Sequence, residues 1–320
     1  MEDGSMLTVT YPKITQNVSA VTQDTILEEK PVPKKNRIVE ESPEKEKEDD
    51  KKKTEKLDKT DTSGEIKHTS FDCFLKTNFG HIINPKQKSG SEVPLESRAF
   101  LKEFSYSYKV NRDCKNHEPY PKAMCSACIP PSIHMKRQVY RHVDYAQIMN
   151  SEEVGRLIRH WFQTSMQRVG YLYGYYAEDP TYEDGDRAVV EAIYEPPQQN
   201  DLNNSIILPD QLQTNVDKIS ARLGLQRIGY VFTTYNNDVF LTSEEVMQAA
   251  KFQEAFQITH PVGVTVSKQI IMVLRRDSKK GDEVIPEVYM MSDQCQSLVR
   301  DGLLLPPDDR KHLKLKESDG

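Results

Sequence analysis

The sequence predicts an α/β fold in which one mixed central sheet is flanked by helices. Three observations predict it. Helical and strand-like apolar periods alternate from residue 133 to residue 306. Three cysteines and a histidine crowd between residues 114 and 128. A tract around Glu41 to Lys53 is almost purely charged. These divide the chain into a charged tail over 1–66, a small module over 67–132, the α/β domain over 133–306, and a short tail over 307–320.

The tail comes first. From Val32 to about Thr62 the stretch is rich in Lys, Glu and Asp, with few apolar side chains. Too little surface can be buried to offset the entropy of ordering, so disorder is expected over 1–66. Ordered structure is first signalled at Ser70-Phe71-Asp72-Cys73-Phe74-Leu75, and Phe100 to Val110 then partly alternates as a half-buried strand does. Beyond the Cys/His cluster, Ser151-Glu152-Glu153 opens a helix with an N-cap and an acidic first turn. Val154, Leu157, Ile158, Trp161 and Phe162 recur there at helical spacing. The runs Val169 to Tyr176 and Ala188 to Tyr194 are aromatic and β-branched, and the second is halted by Pro196-Pro197. A helix from about Val216 to Leu223, with Gly224 just past its end, precedes a strand from Arg227 to Thr233. A helix near Ser243-Glu244-Glu245, strands over Val262 to Leu274 and Val284 to Met291, and a helix after Ser292 complete the domain.

Composition narrows the function. With 320 residues, 37% hydrophobic and 29% charged, the chain has room for one compact domain of ordinary size plus less ordered segments. The formal net charge of -6 argues against a broad phosphate-tracking surface. There is no basic-then-apolar leader, and the densest apolar run, Ile270 to Leu274, is far short of the ~20 residues a membrane helix requires. The expectation is a soluble, intracellular protein without membrane insertion. Five cysteines in a chain this long do not make a disulfide framework. Cys73 and Cys295 read as buried free thiols.

The other three cysteines form C-x2-H-x7-C-x2-C with His117: Cys114, His117, Cys125 and Cys128. Each short pair can grip one side of a tetrahedral ion. The surrounding segment, Arg112 to Pro119, is too polar to bury thiols without a metal. Four ligands fill the coordination sphere and leave no position for an activated water, so one structural Zn2+ is expected. His134 and His142 lack a thiol or carboxylate at ligand spacing and read as polar surface histidines.

The set Ser70-Phe71-Asp72-Cys73-Phe74, the Cys/His cluster, Arg137 to Asp144, Val169 to Tyr176, Glu191 to Gln198 and Asp293 to Asp301 resembles the nuclear protein localisation protein 4 family, in the family's order, over roughly residues 68–306. That family is the ubiquitin-recognising partner of the valosin-containing AAA+ unfoldase. The resemblance implies a JAMM/MPN-like domain without catalytic activity, which captures polyubiquitin and helps start its unfolding. It implies ubiquitin-fusion-degradation protein 1 as a second partner. The implied role is delivery of polyubiquitinated proteins for extraction, unfolding and proteasomal degradation, including ER-associated degradation, in the cytoplasm and nucleus and peripherally at the ER membrane. The family's ubiquitin-like domain, additional upstream zinc finger and further C-terminal domain have no counterpart in this sequence, so weak docking on the unfoldase is expected. The zinc loop, which in the family sits over the unfoldase pore, is retained.

Two rival functions make different demands. A nucleic-acid-binding zinc finger needs a basic face, whereas Arg112, Lys115 and Lys122 are mixed with Asp113 and Glu118. An active JAMM-type zinc isopeptidase needs two histidines in a His-x-His-Pro turn, an aspartate ligand in a following Ser-x-x-Asp and a glutamate base. At the matching strand end stands Tyr230 to Tyr235, without an imidazole. Only the acid survives, as Glu245, and Gln167 stands in the place of the base. His260-Pro261 follows the helix that opens at Ser243, lacks a histidine two residues earlier, and reads as a loop. No catalytic residue and no enzymatic activity are expected.

Overall fold

A computed structural model of the chain describes residues 68–80, 132–277 apart from 203, 237 and 238, then 283–305 and 311–316, together with 104, 106–109, 111–112, 114–118, 122–126 and 128. The charged tail expected over 1–66 lies outside the described residues.

The first described elements are a short strand β1 (Thr69–Ser70) and helix α1 (Phe71–Phe79). Ser70 starts the helix because its extended backbone lets Oγ accept from the Cys73 amide at 3.3 Å. Strands β2 (Tyr140–Arg141) and β3 (Tyr145–Ile148) lead to helix α2 (Ser151–Thr164). Here the expected cap is off by one residue. Asn150, not Ser151, takes the extended conformation and accepts from the Glu152 amide, while the acidic first turn stands as expected. Strands β4 (Val169–Asp179) and β5 (Gly185–Tyr194) form a long hairpin, and β5 ends before Pro196-Pro197 as expected. A small hairpin follows, β6 (Gln198–Asn200) with β7 (Ser205–Ile207).

Helix α3 (Gln213–Arg222) begins three residues earlier than expected and ends on Gly224 at φ +76°. The Gly224 amide reaches the Ala221 carbonyl and the Leu225 amide the Ser220 carbonyl, the paired bonds of a Schellman motif. Strand β8 (Gln226–Thr234) leads to α4 (Ser243–Ala255), which opens in a capping box between Thr242 and Glu245. Strands β9 (Ile258–Thr259) and β10 (Thr265–Val266) pair with each other, and β11 (Ile270–Asp277) and β12 (Glu283–Tyr289) follow. Helix α5 (Asp293–Arg300) and the pair β13 (Leu304–Leu305) and β14 (Lys314–Leu315) complete the described fold.

Six strands form one mixed sheet in the order β12-β11-β8-β4-β5-β3. The β3/β5 and β8/β11 neighbours are parallel and the other pairs antiparallel. Strand β11 sits deep in this sheet and buries both faces. Ile270, Met272 and Leu274 point to the side covered by α2, whose Leu157 and Trp161 are wholly buried. Ile271 and Val273 point to the side covered by α4 and α5. A two-residue alternation is thus hidden inside a continuous apolar run, because neither face is wet. Gly229 permits the close approach of β8 to β11, since a Cβ there would lie 2.1 Å from the Ile270 carbonyl oxygen.

Two strand expectations need correction. Val262 to Leu274 is not one strand but β10, a break and β11. In the break, the Gln269 carbonyl accepts from the Gln253 side chain, and the Gln269 amide group donates to the Arg227 carbonyl. Phe100 to Val110 shows no strand among its described residues. Main chain at Tyr106 and Tyr108 is instead satisfied by the side chains of Arg300 and Asp301, which do the work of a neighbouring strand.

Candidate metal centre

The Cys/His cluster comes together around two turns. The Cys128 amide donates to the Cys125 carbonyl at 2.9 Å, which folds the second pair into a tight turn. The Asn111 amide donates to the Cys128 carbonyl, closing the loop across the first pair. One ligand atom from each of Cys114, His117, Cys125 and Cys128 then lies within 4.8 Å of every other. No other group of three or more His, Cys, Asp or Glu side chains able to hold a metal occurs among the described residues.

The donor set fits a tetrahedral zinc. Thiolates about 2.3 Å from a central ion lie about 3.8 Å apart. The Cys114–Cys125 and Cys125–Cys128 sulfur separations are 3.9 and 3.6 Å. His117 Nε2 lies 2.8 Å from Cys128 Sγ, closer than the ~3.5 Å of two such ligands on one zinc, so the ring must move out slightly to take an ion, while Nδ1 bonds the Glu118 carbonyl at 2.6 Å. That carbonyl can only accept, so it keeps the proton on Nδ1 and leaves the Nε2 lone pair for metal. Cys128 is buried and the other three are partly exposed, as in a loop held together by its ion rather than by a core.

The remaining cysteines and histidines lie elsewhere. Cys295 is buried, and burial pushes its thiol up to about 12. Cys73 is partly exposed rather than buried, because it sits on α1 beside Phe71 and Leu75, which carry the packing. His134 is exposed and bonds Ser132 Oγ. His142 is not a surface residue: it is 3% exposed, with Nε2 at 2.9 Å from Asp293, its carboxylate partner from 151 residues away. His260 lies in the loop between β9 and β10, as expected, and its Nε2 meets Asp72 at 3.0 Å.

A second feature is a cavity of about 340 Å³ where the end of β8, the β6/β7 hairpin and the start of α4 meet. Gln167, Tyr230, Phe232, Thr234 and Glu245 are among its lining residues, and none of the lining residues is a histidine. The amide nitrogen of Gln167 donates to the Leu202 carbonyl. Glu245 accepts from the Thr242 amide at 2.7 Å while Thr242 Oγ1 accepts from the Glu245 amide, so its carboxylate is occupied in capping α4. Burial and the nearby Glu245 carboxylate together push the Tyr230 hydroxyl well above its ordinary value.

Residues 168–320 match the model of the NPL4 family, and residues 45–165 match that of the "NPL4 family, putative zinc binding region". The chain belongs to the NPL4 family. Among curated relatives it is 34% identical over 270 residues to the nuclear protein localization protein 4 homolog of Drosophila melanogaster, covering 78% of this chain and 38% of the relative. Against the Homo sapiens homolog the identity is 35%, covering 78% and 41%. Against nuclear protein localization protein 4 of Kluyveromyces lactis it is 36%, covering 75% and 42%. The chain thus spans about two fifths of the length of the curated relatives it matches. No helix among the described residues is long and apolar enough to cross a membrane.

Sequence reasoning missed how the NPL4 zinc module is held. Gln294, buried on α5, donates to the Tyr108 hydroxyl and the His134 carbonyl and accepts from the Lys136 amide. Asp301 accepts from the Tyr108 amide, and Arg300 donates to the Tyr106 carbonyl. The signal was a polar cluster, Asp293-Gln294 through Arg300-Asp301, on a helix otherwise patterned for burial.

Proposed function

We propose that this chain is a non-enzymatic adaptor that binds polyubiquitin and helps deliver modified proteins to the valosin-containing AAA+ unfoldase, with ubiquitin-fusion-degradation protein 1 as a second partner. In this reading the zinc is single and structural, and it shapes a loop that meets the unfoldase. The delivered proteins go on to extraction, unfolding and proteasomal degradation, including ER-associated degradation. The work is done in the cytoplasm and nucleus and at the ER surface.

The observation that carries the non-catalytic part is the donor set of the cavity. A hydrolytic zinc needs at least three protein ligands and a base to activate its water. The cavity offers Glu244 and Glu245 without an imidazole, Glu245 is engaged in its capping box, and Gln167 carries an amide that cannot take a proton from water. Family membership supports the partner assignment.

The test is direct. Purified chain is incubated separately with polyubiquitin, unfoldase and ubiquitin-fusion-degradation protein 1, and polyubiquitin cleavage is followed with added zinc. The expected result is retention of polyubiquitin, capture of the unfoldase and of ubiquitin-fusion-degradation protein 1, and no cleavage. Chelator-sensitive cleavage, or failure to retain polyubiquitin, would overturn the reading.

A further inference from the structure

Helix α3 meets the body of the domain through polar groups: Asp217 accepts from the Tyr173 hydroxyl at 2.6 Å and from Arg227 at 3.0 Å, Gln213 donates to the same Tyr173 hydroxyl, and Ser220 is its buried residue. Its aliphatic side chains lie along a flank beside that anchoring face, with Val216 half-buried next to Ser220 and the others exposed. Leu212, Val216, Ile219 and Leu223 follow each other at spacings of four, three and four residues, one stripe of a helix. Leu212 and Leu223, at the two ends, keep near-helical backbone angles, so the stripe runs the whole length. Leu212, Ile219 and Leu223 are 60%, 59% and 71% exposed.

Scattered exposed leucines need no explanation, but Leu212, Ile219 and Leu223 aligned along one flank of a helix that anchors itself by polar groups do. Lys218 and Arg222, one turn apart, flank the stripe on its outer side and have no ion-pair partner among the described residues. We propose that α3 is a docking surface for an amphipathic helical segment of another protein, with leucine-like anchors along one face and carboxylates along one flank. The anchors lie along the Leu212 to Leu223 stripe, and the carboxylates meet Lys218 and Arg222. This surface is separate from the zinc loop and from the cavity, and the inference does not depend on the adaptor reading.

The probe is a capped synthetic helix with leucine at the same four-three-four spacing and glutamate on one flank, titrated into the full chain by fluorescence anisotropy. Saturable binding is expected, weakened about tenfold or more in Ile219→Glu and Leu223→Glu, since two anchors and a favourable charge pattern are lost together. Ala221→Glu, on the far side of α3, should leave it within about twofold. A companion peptide with lysine in place of glutamate should bind at least several-fold more weakly, and added salt should narrow that gap. Unchanged thermal melting of the variants separates lost docking from lost folding. Absence of saturable binding, equal binding of the lysine peptide, or indifference to Ile219→Glu and Leu223→Glu would overturn the proposal. So would concentration-dependent dimers in sedimentation that those substitutions abolish, because the occupant would then be a second copy of the chain.

Discussion

At the scale of single residues, Asp301 shows how a carboxylate can replace a strand. Burial raises its pKa, but bonds from Arg300 and the Tyr108 amide outweigh that and hold it below its ordinary 3.8. A depressed carboxylate contributes stability that is present above the unfolded value and lost as pH falls through the folded one. The anchoring of Tyr108 is therefore expected to hold at neutral pH and to weaken below about pH 4. Asp301→Asn should cost about 1–3 kcal/mol, read from denaturant midpoints at pH 7, and the difference from wild type should shrink as pH is lowered through that range. Cys125→Ser removes a central ligand of the cluster. It is expected to take zinc content well below one per chain by atomic absorption, and to raise proteolysis across 111–128. That these four residues come together was legible in the sequence, because a tetrahedral site leaves its mark as short paired spacings. His142 was not, because its partner Asp293 stands 151 residues away and nothing local announces it.

At the scale of elements, what was legible is what local forces decide. Helix α2 declares itself by an apolar stripe and an acidic first turn, and α3 by its closing glycine. The exact cap of α2 did not, since Asn150 and Ser151 both have side chains fit for the role and only the backbone angles choose between them. Strand β11 was legible as apolar sequence, but its start was not. The break before it depends on side-chain amides of Gln253 and Gln269 that arrive from distant or turned-in positions. Glu245 read as the remnant of a catalytic ligand, and the structure gives it a mechanical duty at the start of α4. Thr242→Ala should therefore cost about 1 kcal/mol through loss of the cap, measured by thermal unfolding. It is expected to leave zinc content unchanged, because neither Thr242 nor Glu245 belongs to the Cys/His cluster.

At the scale of the whole molecule, α5 is the join. One face packs Cys295, Leu298 and Val299 into the core beneath the sheet, while Gln294 and Asp301 hold the approach to the zinc module. Gln294→Ala removes three bonds to that approach at once, a buried amide whose partners are left unsatisfied. Hydrogen exchange is expected to rise at residues 108 and 134–136 with little change in the strands of the central sheet. Equal loosening of both would show that the module and the sheet unfold as one unit. The join also fixes a time order during synthesis. Tyr108 leaves the ribosome 193 residues before Asp301, which receives it. At ~5–20 residues per second that interval is about 10–40 s. For that long the loop lacks the contacts that the end of α5 later gives Tyr106 and Tyr108. A metal bound in that interval would order the four Cys and His side chains before their support from α5 exists.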